Sequence, residues 1–149
     1  MATPKTIYSQ DFYAWASQNA ALLKARRFDE VDIDHVVEEL ESMSKSERRE
    51  LINRLAILLA HLLKWRYQPE RRGNSWIGTI EEQRLSVLEV LEDSPSLKYE
   101  LDVKLTQSYL KALAIAVKDT GLSKVSFPLN CPWTLEQILD NDFWPDSVD

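Results

Sequence analysis

Arg84 asks first for a chemical explanation. It sits in the pattern Ile77, Ile80, Arg84, Val87, Leu88, Leu91. At about 100° per residue these positions make one apolar stripe of a helix, with Arg84 near its middle. A guanidinium cannot give up its proton, so a buried one needs a carboxylate or several acceptors. Glu39, Glu41 and Glu47 are the expected partners. Two roles are open: an ion pair that fixes helix register, or an anion clamp between helices. His61 is the second such residue. It shares a helix face with Arg54, Ile57 and Trp65, opposite a leucine stripe, and is expected to be buried. It reads either as a satisfied core histidine or as a base or ligand. Taken together, Glu38, Glu41, His61 and Arg84 are a candidate polar pocket, with His61 as base and Arg84 as anion clamp.

A second candidate site is for anions. Gly73-Asn74-Ser75 opens a helix directly after Arg71-Arg72. Free backbone N–H groups at a helix start, beside two guanidiniums, can hold a phosphate, so Arg71, Arg72 and Ser75 form the set. The plainer reading is a solvated loop and an ordinary helix start. Trp65, Tyr67 and Trp76 lie close to Lys64 and Arg66 and are of a type that stacks bases, although such aromatics also serve as packing. No metal or cofactor is expected. Di-iron bundles need Glu-x-x-His on each of two helices, and here only Asp32-x-x-His35 comes near it. A His35, His61 and carboxylate site has few imidazoles for a transition metal. Cys131, between Asn130 and Pro132, is expected to be an inert buried thiol. No nucleophilic Ser motif, Gly-rich nucleotide loop or zinc spacing occurs.

The elements that must position these residues are helices. A first helix is predicted over about 9–27, capped by Ser9 or Asp11, with Phe12, Trp15, Ala16, Leu22 and Leu23 on one side. A second starts near Asp32, a good N-cap, with Val31 and Val36 as a hydrophobic staple and Ile33, Val36, Val37, Leu40 and Met43 as its apolar stripe. Ser44 to Glu47 reads as a capping box, so a new helix or a kink is expected there. From Ala56 to Trp65 the third helix is apolar almost all round, which places it at the centre of a bundle. A fourth runs from Asn74 or Ser75 to about Asp93. Ser94-Pro95 then starts a fifth, which stops at Gly121. Thr134 to Gln137 is a further capping box, opening a short helix before the apolar Phe143-Trp144-Pro145. The fold expected is all-α: a helical bundle of four or five longer helices plus a short C-terminal one. It forms a single domain over 1–149, with 122–149 as extended segment, short helix and acidic tail.

Composition narrows the setting. Hydrophobic residues are 44% and charged residues 28%, a balance that folds. The net charge of −6 repels nucleic acid and anionic membrane at long range, so nucleic acid is disfavoured as a partner despite the local run Lys64, Arg66, Arg71 and Arg72. The longest apolar run, Leu55 to Leu63, is far short of the ~20 residues that span a bilayer. One cysteine excludes an internal disulfide, and the first ten residues lack the apolar stretch of a secretory signal. A soluble, cytoplasmic protein is expected.

Several strings occur in a familiar order: Asp11-Phe12-Tyr13-Ala14-Trp15, Glu38-Glu39-Leu40-Glu41-Ser42, Ser46-Glu47-Arg48-Arg49-Glu50-Leu51 and His61-Leu62-Leu63-Lys64-Trp65. Gln68-Pro69, Ser75-Trp76, Gln83-Arg84, Ser94-Pro95-Ser96-Leu97 and Cys131-Pro132-Trp133 follow. In this order they resemble the domain-of-unknown-function family numbered twenty-nine, found widely in cyanobacteria, from about Tyr8 to Pro145. The resemblance implies a small helical protein and carries no activity or cofactor. It marks Glu38, Glu39, Glu41, Arg48, Arg49, His61, Lys64, Trp65, Gln83 and Arg84 as family positions. Ser44 stands where such sequences often have Gly, so one long bent helix is the alternative to a break there. The function expected is a non-catalytic protein-interaction module, binding a protein partner or itself, with Trp76, Trp133 and Trp144 as contact residues. The alternative is a small-ligand-binding or hydrolytic bundle using the Glu38, Glu41, His61 and Arg84 pocket.

Overall fold

A computed structural model describes residues 7–146. Asp149 of the acidic tail lies outside them. The fold is all-α, and no strand occurs among the described residues. Helix α1 spans Phe12–Lys24, α2 Ile33–Tyr67, α3 Asn74–Asp93, α4 Leu101–Thr120 and the short α5 Leu135–Leu139. Among the described residues no helix is long and apolar enough to cross a membrane. The chain divides into two compact units, 1–46 and 47–149, with the division inside α2.

Local chemistry explains most boundaries. Asp11 caps α1, its carboxylate accepting from the Ala14 N–H at 3.0 Å. Thr134 and Gln137 form the reciprocal capping box expected at α5. Gly121 ends α4 at φ 74°, a left-handed conformation that costs a residue without a Cβ little. Two expectations are corrected. The capping box at Ser44 to Glu47 does not form, because helical bonding continues unbroken through α2 and leaves no free amides there to cap. Ser94 does not cap the next helix either: its hydroxyl donates to Glu47, and a 3-10 stretch over Pro95–Glu100 precedes α4.

In the second unit the core is built on the C-terminal half of α2. Leu51, Leu55, Leu58, Leu59, Leu62 and Leu63 are fully buried. They pack with Ile80 and Val87 of α3, Tyr109, Leu113 and Ala116 of α4, and Ile138 of α5. The all-round apolar character of this stretch therefore did predict a central helix. The first unit is thinner. On α1 only Trp15 and Asn19 are buried, and Phe12 and Leu23 of the predicted apolar side are exposed. Along the start of α2, Ile33, Val37, Leu40 and Met43 are exposed as well.

Candidate functional site

In the second unit Arg84 is fully buried on α3. Its partners are not the carboxylates expected. Nε donates to the Ile138 carbonyl at 2.8 Å and one Nη to the Phe143 carbonyl at 2.6 Å. The guanidinium lies 5.3 Å from the centroid of the Trp144 ring. Asp140 and Glu81 influence it only at longer range. Of the expected partners, Glu39 accepts from Tyr8, Glu47 accepts from Ser94, and Glu41 is exposed. Arg84 thus ties α5 and the segment after it onto α3 by their backbone. Trp144 also contacts Trp65, with centroids 4.7 Å apart.

Arg72 completes this latch. Its Nε donates to the Trp65 carbonyl at 2.7 Å, its guanidinium lies 4.8 Å from the Trp65 ring centroid, and an Nη is 3.5 Å from the Pro145 carbonyl. The expected anion-binding set is Arg71, Arg72 and Ser75. Arg72 is committed to Trp65 and the tail, while Arg71 and Ser75 are exposed at the start of α3. The basic run is likewise divided. Lys64 is buried, with Nζ 2.6 Å from Asp119 Oδ2. Trp133 is buried, and Trp144 is half-buried against Trp65.

His61 lies half-buried beside that ion pair. Its Nδ1–H donates to the Ile57 carbonyl at 2.9 Å. Burial lowers its pKa, and the Lys64 charge adds to this, against opposing effects of the Ile57 carbonyl and Asp119. Folding therefore favours the neutral form of His61. Below its ordinary value of 6.5 the unfolded chain takes up a proton that the folded one resists. Stability is accordingly expected to fall as pH drops from 7 to 5, and His61→Asn should flatten that slope in urea titrations. An unchanged slope in the variant would refute the assignment.

Glu38 and Glu41 are exposed on α2 in the first unit. Glu38 and Glu41 thus belong to the first unit and His61 and Arg84 to the second, and none of the four lines the grooves of about 470, 310, 300 and 270 Å³. Cys131 does line one of these, with Tyr109 and Trp133. Its thiol donates to the Trp133 carbonyl at 3.4 Å, and burial raises its pKa, which favours the protonated form. Among the described residues no group of three metal-ligating side chains occurs.

The first unit holds a polar knot. Asp32 is buried. Its Oδ2 accepts from Trp15 Nε1 at 3.0 Å and from His35 Nδ1 at 2.6 Å. Its own N–H donates to Asn19 Oδ1 at 2.8 Å, and Asn19 Nδ2 donates to the Trp15 carbonyl at 2.9 Å. Burial alone would raise the Asp32 pKa. Bonds from the His35 ring, the Trp15 indole and the His35 backbone outweigh it and bring the pKa below the usual carboxylate value. The Tyr8 ring stacks on His35 at 3.9 Å, and its hydroxyl donates to Glu39, which pushes the Tyr8 pKa up to about 12. Asp32 was legible in the sequence as a helix cap. Its bonds to Trp15 and Asn19 were not, because they join positions 17 and 13 residues apart.

Beside this knot the start of α2 presents its apolar stripe to water. Ile33 is 55% exposed, Val37 45%, Leu40 61% and Met43 64%. The sequence marked these residues as an apolar stripe without marking the stripe as a surface.

The order and spacing of these positions fit one family along nearly all of the chain. The family model described as domain of unknown function DUF29 matches residues 7–144. The chain belongs to the DUF29 family. No curated protein and no solved structure matches it. DUF29 membership covers both units, since the match runs from the residue before Tyr8 to Trp144 of the latch.

Proposed function

We propose that this chain is a non-catalytic protein-interaction module that works through the first three turns of α2. One observation carries the reading: Ile33, Val37, Leu40 and Met43 recur at helical spacing and remain exposed. At about 100° per residue, Ile33, Val37 and Leu40 fall within roughly 60° of one another, which makes a continuous strip. Scattered single apolar residues on a surface need no explanation, whereas a contiguous strip marks a contact site. The titratable residues support the same reading. Arg84, Arg72, Lys64 and Asp32 each hold chain segments together. With a single cysteine, held as a free thiol, we also propose a cytoplasmic setting.

The test is a photo-crosslinking residue placed at Leu40 in the native host. A discrete protein adduct, or a cross-linked dimer, is expected. Adding Leu40→Asp while moving the crosslinker to Val37 should reduce that adduct at least tenfold, as expected when a charge enters a desolvated contact. Stability should change little, because Leu40 is exposed. An adduct indifferent to Leu40→Asp would refute the reading.

A further inference from the structure

We infer that the strip on α2 docks into an apolar groove of a different protein, one whose rim carries lysine or arginine along the edge facing Asp34, Glu38 and Glu41. The inference rests on the interaction-module reading and adds the chemistry of the partner. Positions 33, 37 and 40 define the strip, and 34, 38 and 41 each lie one residue on. At about 100° per residue that places the three carboxylates in a row along one edge of the strip, with Lys45 at its end. The three acids are exposed, and among the described residues no ion pair uses them.

The other edge of the strip carries Val36 and Met43 and no charge, and the back of the helix is occupied within the same unit. His35 stacks on Tyr8, and Glu39 accepts the Tyr8 hydroxyl. A partner therefore meets the strip with carboxylates on one edge and apolar side chains on the other. This asymmetry disfavours a second copy as the occupant. Antiparallel pairing of two strips sets each acidic row against its own equivalent, a like-charge contact along the whole seam. Parallel pairing sets the acidic row against Val36 and Met43, which offer it no cation. A foreign groove with a basic rim has neither conflict, and its charges would steer docking and fix register.

The experiment uses the full chain and two synthetic amphipathic helical peptides with one shared leucine face. One peptide is edged with lysine, the other with glutamate. Titration by fluorescence anisotropy should show the lysine-edged peptide binding at least tenfold more tightly, an effect of the size rim charges produce in total. Glu38→Lys with Glu41→Lys should reverse that preference. Glu89→Lys with Glu92→Lys, exposed acids on α3, should leave it intact, which separates the strip's edge from the general effect of net charge −6. Leu40→Asp should abolish both titrations.

Equal affinity for the two peptides, still lost in Leu40→Asp, would overturn the basic-rim inference and leave the interaction module standing. So would a concentration-dependent dimer in sedimentation that Leu40→Asp dissolves, which identifies a second copy as the occupant. A preference carried equally by Glu89 and Glu92 overturns the inference as well. Binding indifferent to Leu40→Asp, or no binding by a strictly monomeric chain, would overturn both.

Discussion

Arg84→Met is expected to lower the stability of the second unit by about 3 kcal/mol, the scale of leaving buried acceptors unpaired. Methionine fills similar length and is apolar, so the change isolates the guanidinium from its volume. The Ile138 and Phe143 carbonyls lose their donors, and the Trp144 ring loses the cation above it. A buried ion pair replaced whole by apolar residues can be neutral. Here only one side is replaced, because the acceptors belong to the backbone and stay. Arg84→Lys should recover less than half of the loss, since one ammonium on a flexible stem does not reproduce a planar fork that serves two carbonyls. Urea unfolding followed by tryptophan fluorescence measures the loss. Hydrogen exchange over 139–146 shows whether the tail is released. A loss below about 1 kcal/mol, the value of an ordinary single hydrogen bond, with unchanged exchange in the tail would refute the latch.

Asp32→Ala is the second large effect. It removes the acceptor for the Trp15 indole and the His35 ring together with a helix cap. The expected cost is about 3 kcal/mol, combining a lost cap with a buried donor left unpaired. Read by hydrogen exchange, amides of α1 and of the first turns of α2 should lose about a hundredfold of protection, at roughly 1.4 kcal/mol per factor of ten. Asp32→Asn keeps an oxygen for the indole and a good capping residue, so its loss should be nearer 1 kcal/mol. The sign of the pH dependence follows from the lowered pKa. Asp32 stabilises the fold in full above its ordinary value of 3.8, and the contribution is lost as pH falls through the lower, folded value. The wild-type chain should therefore keep more α1 protection at pH 5 than at pH 3, and Asp32→Asn should remove most of that difference. Equal protection in Asp32→Ala and wild type would show that Trp15 and Asn19 hold the unit without it.

These effects arise from contacts of very different sequence range, and that range decides what could be read in advance. The cap at Asp11, the box at Thr134 and Gln137, and the stop at Gly121 are local. Each is made within four residues, and each was legible. The central position of the α2 leucines was legible too, because a helix apolar on all sides has nowhere else to go. The family was carried by short strings in order, and it is the one property of the chain as a whole that the sequence by itself determined beyond an all-α fold.

Tertiary structure alone decided the rest. The stripe Ile33, Val37, Leu40 and Met43 has the same period as Leu51, Leu55, Leu58 and Leu62, yet one is exposed and the other buried. Periodicity states that a face is apolar; it does not state what covers it. Arg84 shows the same limit for charge. The sequence required acceptors for a buried guanidinium and suggested carboxylates, since those are visible as residue types. The acceptors are the backbone carbonyls of Ile138 and Phe143, 54 and 59 positions away. Every residue carries a carbonyl, so nothing in the sequence distinguishes these two until the chain folds and brings them to α3.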